Sequence, residues 1–84
     1  MLKVLYFAWV RQRLGRGEEE VSPPEHVRTV RDLLEWLRGL DDAHAEALKD
    51  EVVLRVAVNQ EHADLDTPLD GAREVAFFPP VTGG

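Results

Sequence analysis

One stretch of this chain carries a strong helical stripe. Val30, Leu33, Leu34 and Leu37 recur at three- and four-residue spacing, and Leu40 extends the row. Thr29 and Asp32 supply an N-terminal capping pattern, and Gly39 a stop. A helix with one apolar face must bury it against another layer, and the rest of the chain offers mainly strands. Residues 2–7 (LKVLYF) place Leu2, Val4 and Tyr6 on one face and Lys3, Leu5 and Phe7 on the other. Val52–Val58 is the strongest strand pattern, with Val52, Leu54, Val56 and Val58 facing one way and Val53, Arg55 and Ala57 the other. Glu18–Ser22 reads as a polar edge strand whose EEE run is a solvated face, closed by Pro23-Pro24. Glu74–Phe78 is the last strand, halted by Pro79-Pro80.

Shorter signals fill the gaps. A helical turn is expected over Ala8–Leu14 with Gly15 as its stop, and a second short helix over Asp42–Lys49 with Ala45 and Leu48 inward. Asn59-Gln60 predicts a turn, residues 61–64 a short polar strand, and residues 65–73 (LDTPLDGAR) turn chemistry. Two strand patterns, a long helix and two more strand patterns imply an α+β fold, one mixed sheet wrapping one main helix. If the first and last strands run parallel and side by side, the result is the β-grasp, ubiquitin-like arrangement. Its expected core is Leu2, Val4, Tyr6, Val30, Leu33, Leu34, Leu37, Leu54, Val56, Val58, Val75 and Phe77. The 84 residues suffice for one small domain, read as 1–80 with a flexible tail at 81–84.

Composition narrows the function. With 10 basic and 16 acidic side chains the net charge is −6, which argues against holding nucleic acid by counterion release. Residues 43–84 hold 3 basic and 8 acidic groups, so a partner docking there should be basic. Cysteine is absent, which removes a disulfide framework, a thiolate metal site, an iron–sulfur cluster and a cysteine nucleophile. No apolar run approaches a membrane span and the N-terminus lacks signal-peptide order, so a cytoplasmic protein is expected. His26, His44 and His62 lack ligand spacing and read as surface residues; no metal site is expected. His62, Asp64, Asp66 and Asp70 lack the ordered spacing of a calcium loop. Trp9 and Trp36 read as partial core. Nothing forms an acid/base pair or a triad, so any catalysis is borrowed from a partner.

The last nine residues, AFFPPVTGG, are the most informative. Two prolines hold the chain extended after the strand, and two glycines allow close approach of other backbone. Val81, Thr82, Gly83 and Gly84 thus form a slim peptide whose carboxylate can enter another protein's active site and be activated by adenylation. By strand parity Phe77 faces in and Phe78 out, while Phe7 lies on the outer side of the first strand. Phe7 and Phe78 would then form an exposed aromatic patch beside the tail, a natural docking anchor.

With MLKVLYFAWVRQRLG at the start, AVNQ at 57–60 and PLDGAREVAFFPPVTGG at the end, the chain resembles the small subunit of molybdopterin synthase, the MoaD family of ubiquitin-like sulfur carriers. It departs from the family at Ala72-Arg73, where an acidic residue is usual before Glu74. The resemblance implies a β-grasp sulfur carrier in molybdenum cofactor biosynthesis. Gly84 would be adenylated by a ubiquitin-activating-like adenylyltransferase using ATP, then converted to a thiocarboxylate. The large subunit, in a heterotetramer of two small and two large chains, would receive the tail and pass the sulfur to a pterin precursor. It further implies that Phe7, Phe78, Pro79 and Pro80 contact the large subunit, which holds the active site, and that no cofactor is tightly bound here. Carriers for thiazole synthesis or tRNA thiolation share the Gly-Gly ending. A noncatalytic interaction module with an incidental Gly-Gly end is the alternative from another class.

Overall fold

The computed structural model describes residues 1–49 and 54–80. In chain order these form β1 (Leu2–Tyr6), α1 (Ala8–Leu14), β2 (Glu18–Val21), α2 (Val30–Arg38), α3 (Asp42–Ala47), β3 (Arg55–Val58), β4 (Glu61–Ala63) and β5 (Glu74–Phe78). The strands make a five-stranded sheet in the order β2-β1-β5-β3-β4. β1 and β5 run parallel, with Tyr6 opposite Phe77, and the other neighbours are antiparallel. This is the β-grasp arrangement. The last strand of the chain is its central one, and both edge strands are short and polar, which discourages edge-to-edge association.

Alternation decides which side of the sheet is dry. Leu2, Val4 and Tyr6 of β1, Val21 of β2, Val56 of β3 and Val75 and Phe77 of β5 are buried against Val30, Leu33, Leu34 and Leu37 of α2. Leu54 and Val58 are half-buried against the same cluster, as are Trp9 and Trp36. The core also takes in Val10 and Leu14 of α1 and Ala47 and Leu48 at the end of α3. All three helices therefore pack on one face of the sheet.

α2 is capped at both levels the sequence signalled. The backbone N–H of Asp32 donates to Thr29 Oγ1 at 3.2 Å, and the Thr29 N–H donates back to the Asp32 carboxylate at 3.2 Å. Two more free donors of the first turn, on Val30 and Arg31, reach the carbonyls of Thr67 and Leu65 at 3.0 and 2.9 Å. The turn-rich segment after β4 thus serves as a second cap for the main helix.

Several expectations change. Leu40 lies beyond the helix end at Gly39 and is 42% exposed, because the stripe stops with the last turn. α3 ends at Ala47, and its inward residues are His44 and Ala47, followed by Leu48; Ala45 is exposed. β1, β2 and β4 each end one residue early, at Tyr6, Val21 and Ala63. Val52 and Val53 lie outside the described residues. The largest correction is His44, expected at the surface and found 2% exposed. Its partner is a second correction: Glu19 is not part of a solvated face. Glu19 shares the parity of Val21, pairs across the ladder with Val4, and is directed under the sheet.

Candidate functional site

The candidate site is the end of β5 and the uncovered face around it. β5 is held on both sides along its length, by β1 and by β3. Its start is fixed by the β3–β4 hairpin. Asn59 and Gln60 are the two central residues of that turn and both have positive φ, 49° and 70°, the geometry that matches the twist of paired strands. Asn tolerates this conformation better than most residues. Its side-chain oxygen accepts the N–H groups of Arg73 and Glu74 at 2.9 and 3.1 Å, while its own N–H donates to the Glu74 carbonyl at 2.8 Å. The Asn of the AVNQ segment therefore sets where β5 begins.

At the other end, β5 delivers two adjacent phenylalanines to different surroundings. Phe77 is buried and stacks on Tyr6, with ring centroids 6.4 Å apart and an interplanar angle of 17°. Phe78 is half-buried on the opposite face, in register with Arg55, and meets the His62 ring edge-on at 6.0 Å. Phe7 is 47% exposed and its N–H donates to the Phe77 carbonyl at 3.2 Å. β1 ends at Tyr6, so Phe7 is the N-cap of α1 and not a strand residue, and the chain turns there through Ala8 at φ 53°. Phe7 and Phe78 thus come to the same end of the sheet, with His62 as the ring partner of Phe78. Pro79 and Pro80 continue from this point, half-buried. Val81, Thr82, Gly83 and Gly84 lie outside the described residues.

Among the described residues no helix lies over the face carrying Phe78. By register Leu5, Ala76 and Ala57 line up across β1, β5 and β3, with Arg55 and His62 on the β3–β4 side and Lys3, Glu18 and Glu20 on the other. A small apolar floor between polar margins is the usual anatomy of a protein-docking surface. Sequence parity singled out Phe7 and Phe78; it missed Ala57, Ala76 and His62, whose place depends on which strands become neighbours. Among the described residues no group of three or more His, Asp or Glu side chains is placed to hold a metal ion. No helix among them is long and apolar enough to cross a membrane.

Beneath the sheet, Tyr6 donates from its hydroxyl to Glu19 Oε2 at 2.6 Å, and the same oxygen lies 2.7 Å from His44 Nε2. His44 Nδ1 is 2.7 Å from Asp41 Oδ1, the N-cap of α3, and Arg16 reaches Glu19 Oε1 at 2.9 Å. Burial pushes the Tyr6 pKa well above its usual value, and the adjacent Glu19 adds to this, so Tyr6 stays a donor. This cluster is structural for β1, β2 and α3 and lies on the opposite face from Phe78.

Known proteins place the chain. A family model described as ThiS family matches residues 4–84. The chain is 45% identical to the molybdopterin synthase sulfur carrier subunit of Escherichia coli, across the whole of both chains. It is 37% identical to the protein of the same name from Haemophilus influenzae, again over all of both. Among solved structures it is similar to SAMP1 of Haloferax volcanii, at a TM-score of 0.74 and 30% identity over 99% of this chain and 98% of that one. A protein described as molybdopterin converting factor, subunit 1, from Pyrococcus furiosus gives 0.72 and 32% over 95% and 97%. Matched by the family model over residues 4–84 and by relatives of 45% and 37% identity over its whole length, the chain belongs to the ThiS family.

Proposed function

We propose that this protein is the sulfur-carrier small subunit of a molybdopterin synthase. The observation that carries the reading is full-length similarity to carrier subunits of that name, joined to a central strand that runs into Pro79-Pro80 and a Gly-Gly ending. The reacting group is the Gly84 carboxylate. A ubiquitin-activating-like enzyme attaches AMP to it from ATP with release of pyrophosphate, and a sulfur nucleophile displaces the AMP to leave a thiocarboxylate. That sulfur then passes to a pterin precursor in the active site of a large subunit, in an assembly of two small and two large chains. The carrier supplies no acid, base or cofactor of its own; ATP belongs to the activating step.

Each part of the chain has a task in this scheme. Val81, Thr82, Gly83 and Gly84 are the delivered peptide, with glycine needed where the passage is narrow. Pro79 and Pro80 keep its root extended. Phe7 and Phe78 anchor the large subunit on the uncovered face, so that docking aims the tail. Mass spectrometry of the protein from its own cells tests the scheme: one terminal oxygen should be replaced by sulfur. A second arm supplies thiocarboxylated protein to a large subunit and a pterin precursor; failure to form the dithiolene would overturn the assignment.

A further inference from the structure

His44 is buried on the side of α3 that faces the sheet, and among the described residues the polar groups bonded to its ring are acceptors. From β2, Glu19 Oε2 lies 2.7 Å from Nε2; from the N-cap of α3, Asp41 Oδ1 lies 2.7 Å from Nδ1. From β1, the Tyr6 hydroxyl spends its proton on the same Glu19 oxygen at 2.6 Å, and its ring meets the imidazole edge-on at 6.5 Å. From the turn between α1 and β2, Arg16 takes the other Glu19 oxygen at 2.9 Å. The His44 backbone N–H also donates to Asp41 Oδ1, at 2.8 Å. Elsewhere on α3 and its end, Arg38 of α2 donates to the Leu48 carbonyl at 2.7 Å, and Arg13 of α1 acts on Glu46.

Proton counting follows from this geometry. A neutral imidazole has one donor and one acceptor nitrogen. Whichever nitrogen lost its proton would set a lone pair against a carboxylate oxygen at hydrogen-bond distance, on a ring that is itself buried although Asp41 at one end of it is exposed. The imidazolium donates to both, and His44 and Arg16 then balance Glu19 and Asp41. His44 and Glu19 are the enclosed pair of the four, and removing the charge on His44 leaves the Glu19 carboxylate with Arg16 alone to offset it.

We propose that Tyr6, Glu19, His44 and Asp41 form a proton-dependent clasp that fastens α3 to the β1–β2 side of the sheet and releases it when His44 loses its second proton. Burial alone would lower the His44 pKa, but hydrogen bonds to Glu19 and Asp41, with their charges, outweigh it and raise the pKa above the ordinary 6.5. A raised value in the folded state gives stability that is fully present below the unfolded pKa and is lost as pH rises through the folded one. Release therefore comes as pH rises, above the ordinary histidine midpoint. It frees the helix that carries Ala47 and, just after it, Leu48 into the core, and removes support from Tyr6, on which Phe77 stacks.

The test is amide hydrogen exchange on the full chain across neutral to alkaline pH, read as protection factors corrected for intrinsic exchange, beside an NMR titration of the His44 ring. The amides of Ala45 and Leu48, bonded to the Asp41 and His44 carbonyls, should lose protection by about tenfold for each unit by which the His44 midpoint exceeds its ordinary value. The amides of Leu33 in α2 and Phe77 in β5 should lose less. Glu19→Gln should lower the His44 midpoint and flatten the loss. A His44 midpoint at or below the ordinary value overturns the clasp. So does an elevated midpoint with α3 protection unchanged across it.

Discussion

Phe77 and Phe78 are neighbours in the chain and have nothing else in common: one ring stacks on Tyr6 in the core, and the other meets His62 on a face that no helix covers. Phe77→Ala should cost the isolated domain about 3–5 kcal/mol, the range for emptying a buried aromatic site. Phe78→Ala should cost clearly less stability but weaken large-subunit binding by about 1–3 kcal/mol, as a docking anchor does. Chemical denaturation and calorimetric binding of both variants separate the two roles. If Phe78→Ala unfolds the domain and leaves the affinity of any folded fraction unchanged, the docking face is wrongly placed.

Removing Gly84 should abolish sulfur transfer and leave the melt unchanged, since the carboxylate proposed to react lies six positions beyond the end of β5 in the sequence. Gly83→Val should impair adenylation or delivery because a β-branched side chain widens and stiffens the tail. Its effect on stability should stay within about 0.5 kcal/mol. Turnover assays beside thermal melts check both variants, and wild-type turnover in either one contradicts a threaded tail.

Asn59 combines a positive φ with a side chain that holds the first two amides of the β5 region. Asn59→Gly keeps the turn conformation and drops the acceptor; Asn59→Ala drops both. The alanine variant should be the less stable, with a loss of about 1–3 kcal/mol, and glycine should recover part of it. Equal losses in urea denaturation would assign the whole effect to the hydrogen bonds.

Falling pH should loosen the same cluster that rising pH releases. Burial pushes the Glu19 pKa up, but hydrogen bonds from Tyr6 and His44 and the charges of His44 and Arg16 bring it below the usual 4.5. Asp41 is lowered chiefly by the His44 backbone N–H and then by its ring. A depressed carboxylate contributes stability above its unfolded pKa and loses it as pH falls through the folded value. Unfolding free energy should therefore drop below about pH 4.5, and Glu19→Gln should show a shallower drop in denaturation curves at several pH values.

The fold was legible because several of its clear patterns are local. The period-two alternation of β1 and β5 and the α2 stripe each identify a buried face without knowledge of any neighbour. The capping box at Thr29 marked the α2 start to the residue. His44 was not legible, since its burial follows from a contact with Glu19 on another element, 25 positions away. A trace did exist: Glu19 shares parity with Val21, and a carboxylate on the dry side of a strand requires a donor. The same limit applies at the site. Phe78 could be assigned to a face from parity alone, but its His62 partner depends on β3 lying between β4 and β5.

The parallel pairing of β1 with β5 also governs how the molecule can be handled. Lys3 lies opposite Glu74 and Tyr6 opposite Phe77, so the two strands enter the sheet at one end and leave it at the other. Anything joined ahead of Met1 emerges beside Glu74, separated from the root of the tail by the length of β5, about 17 Å at about 3.3 Å per residue. An affinity tag or fluorophore attached there starts at the opposite end of the sheet from Phe78, whereas the same label placed after Pro80 would sit in the proposed path of delivery.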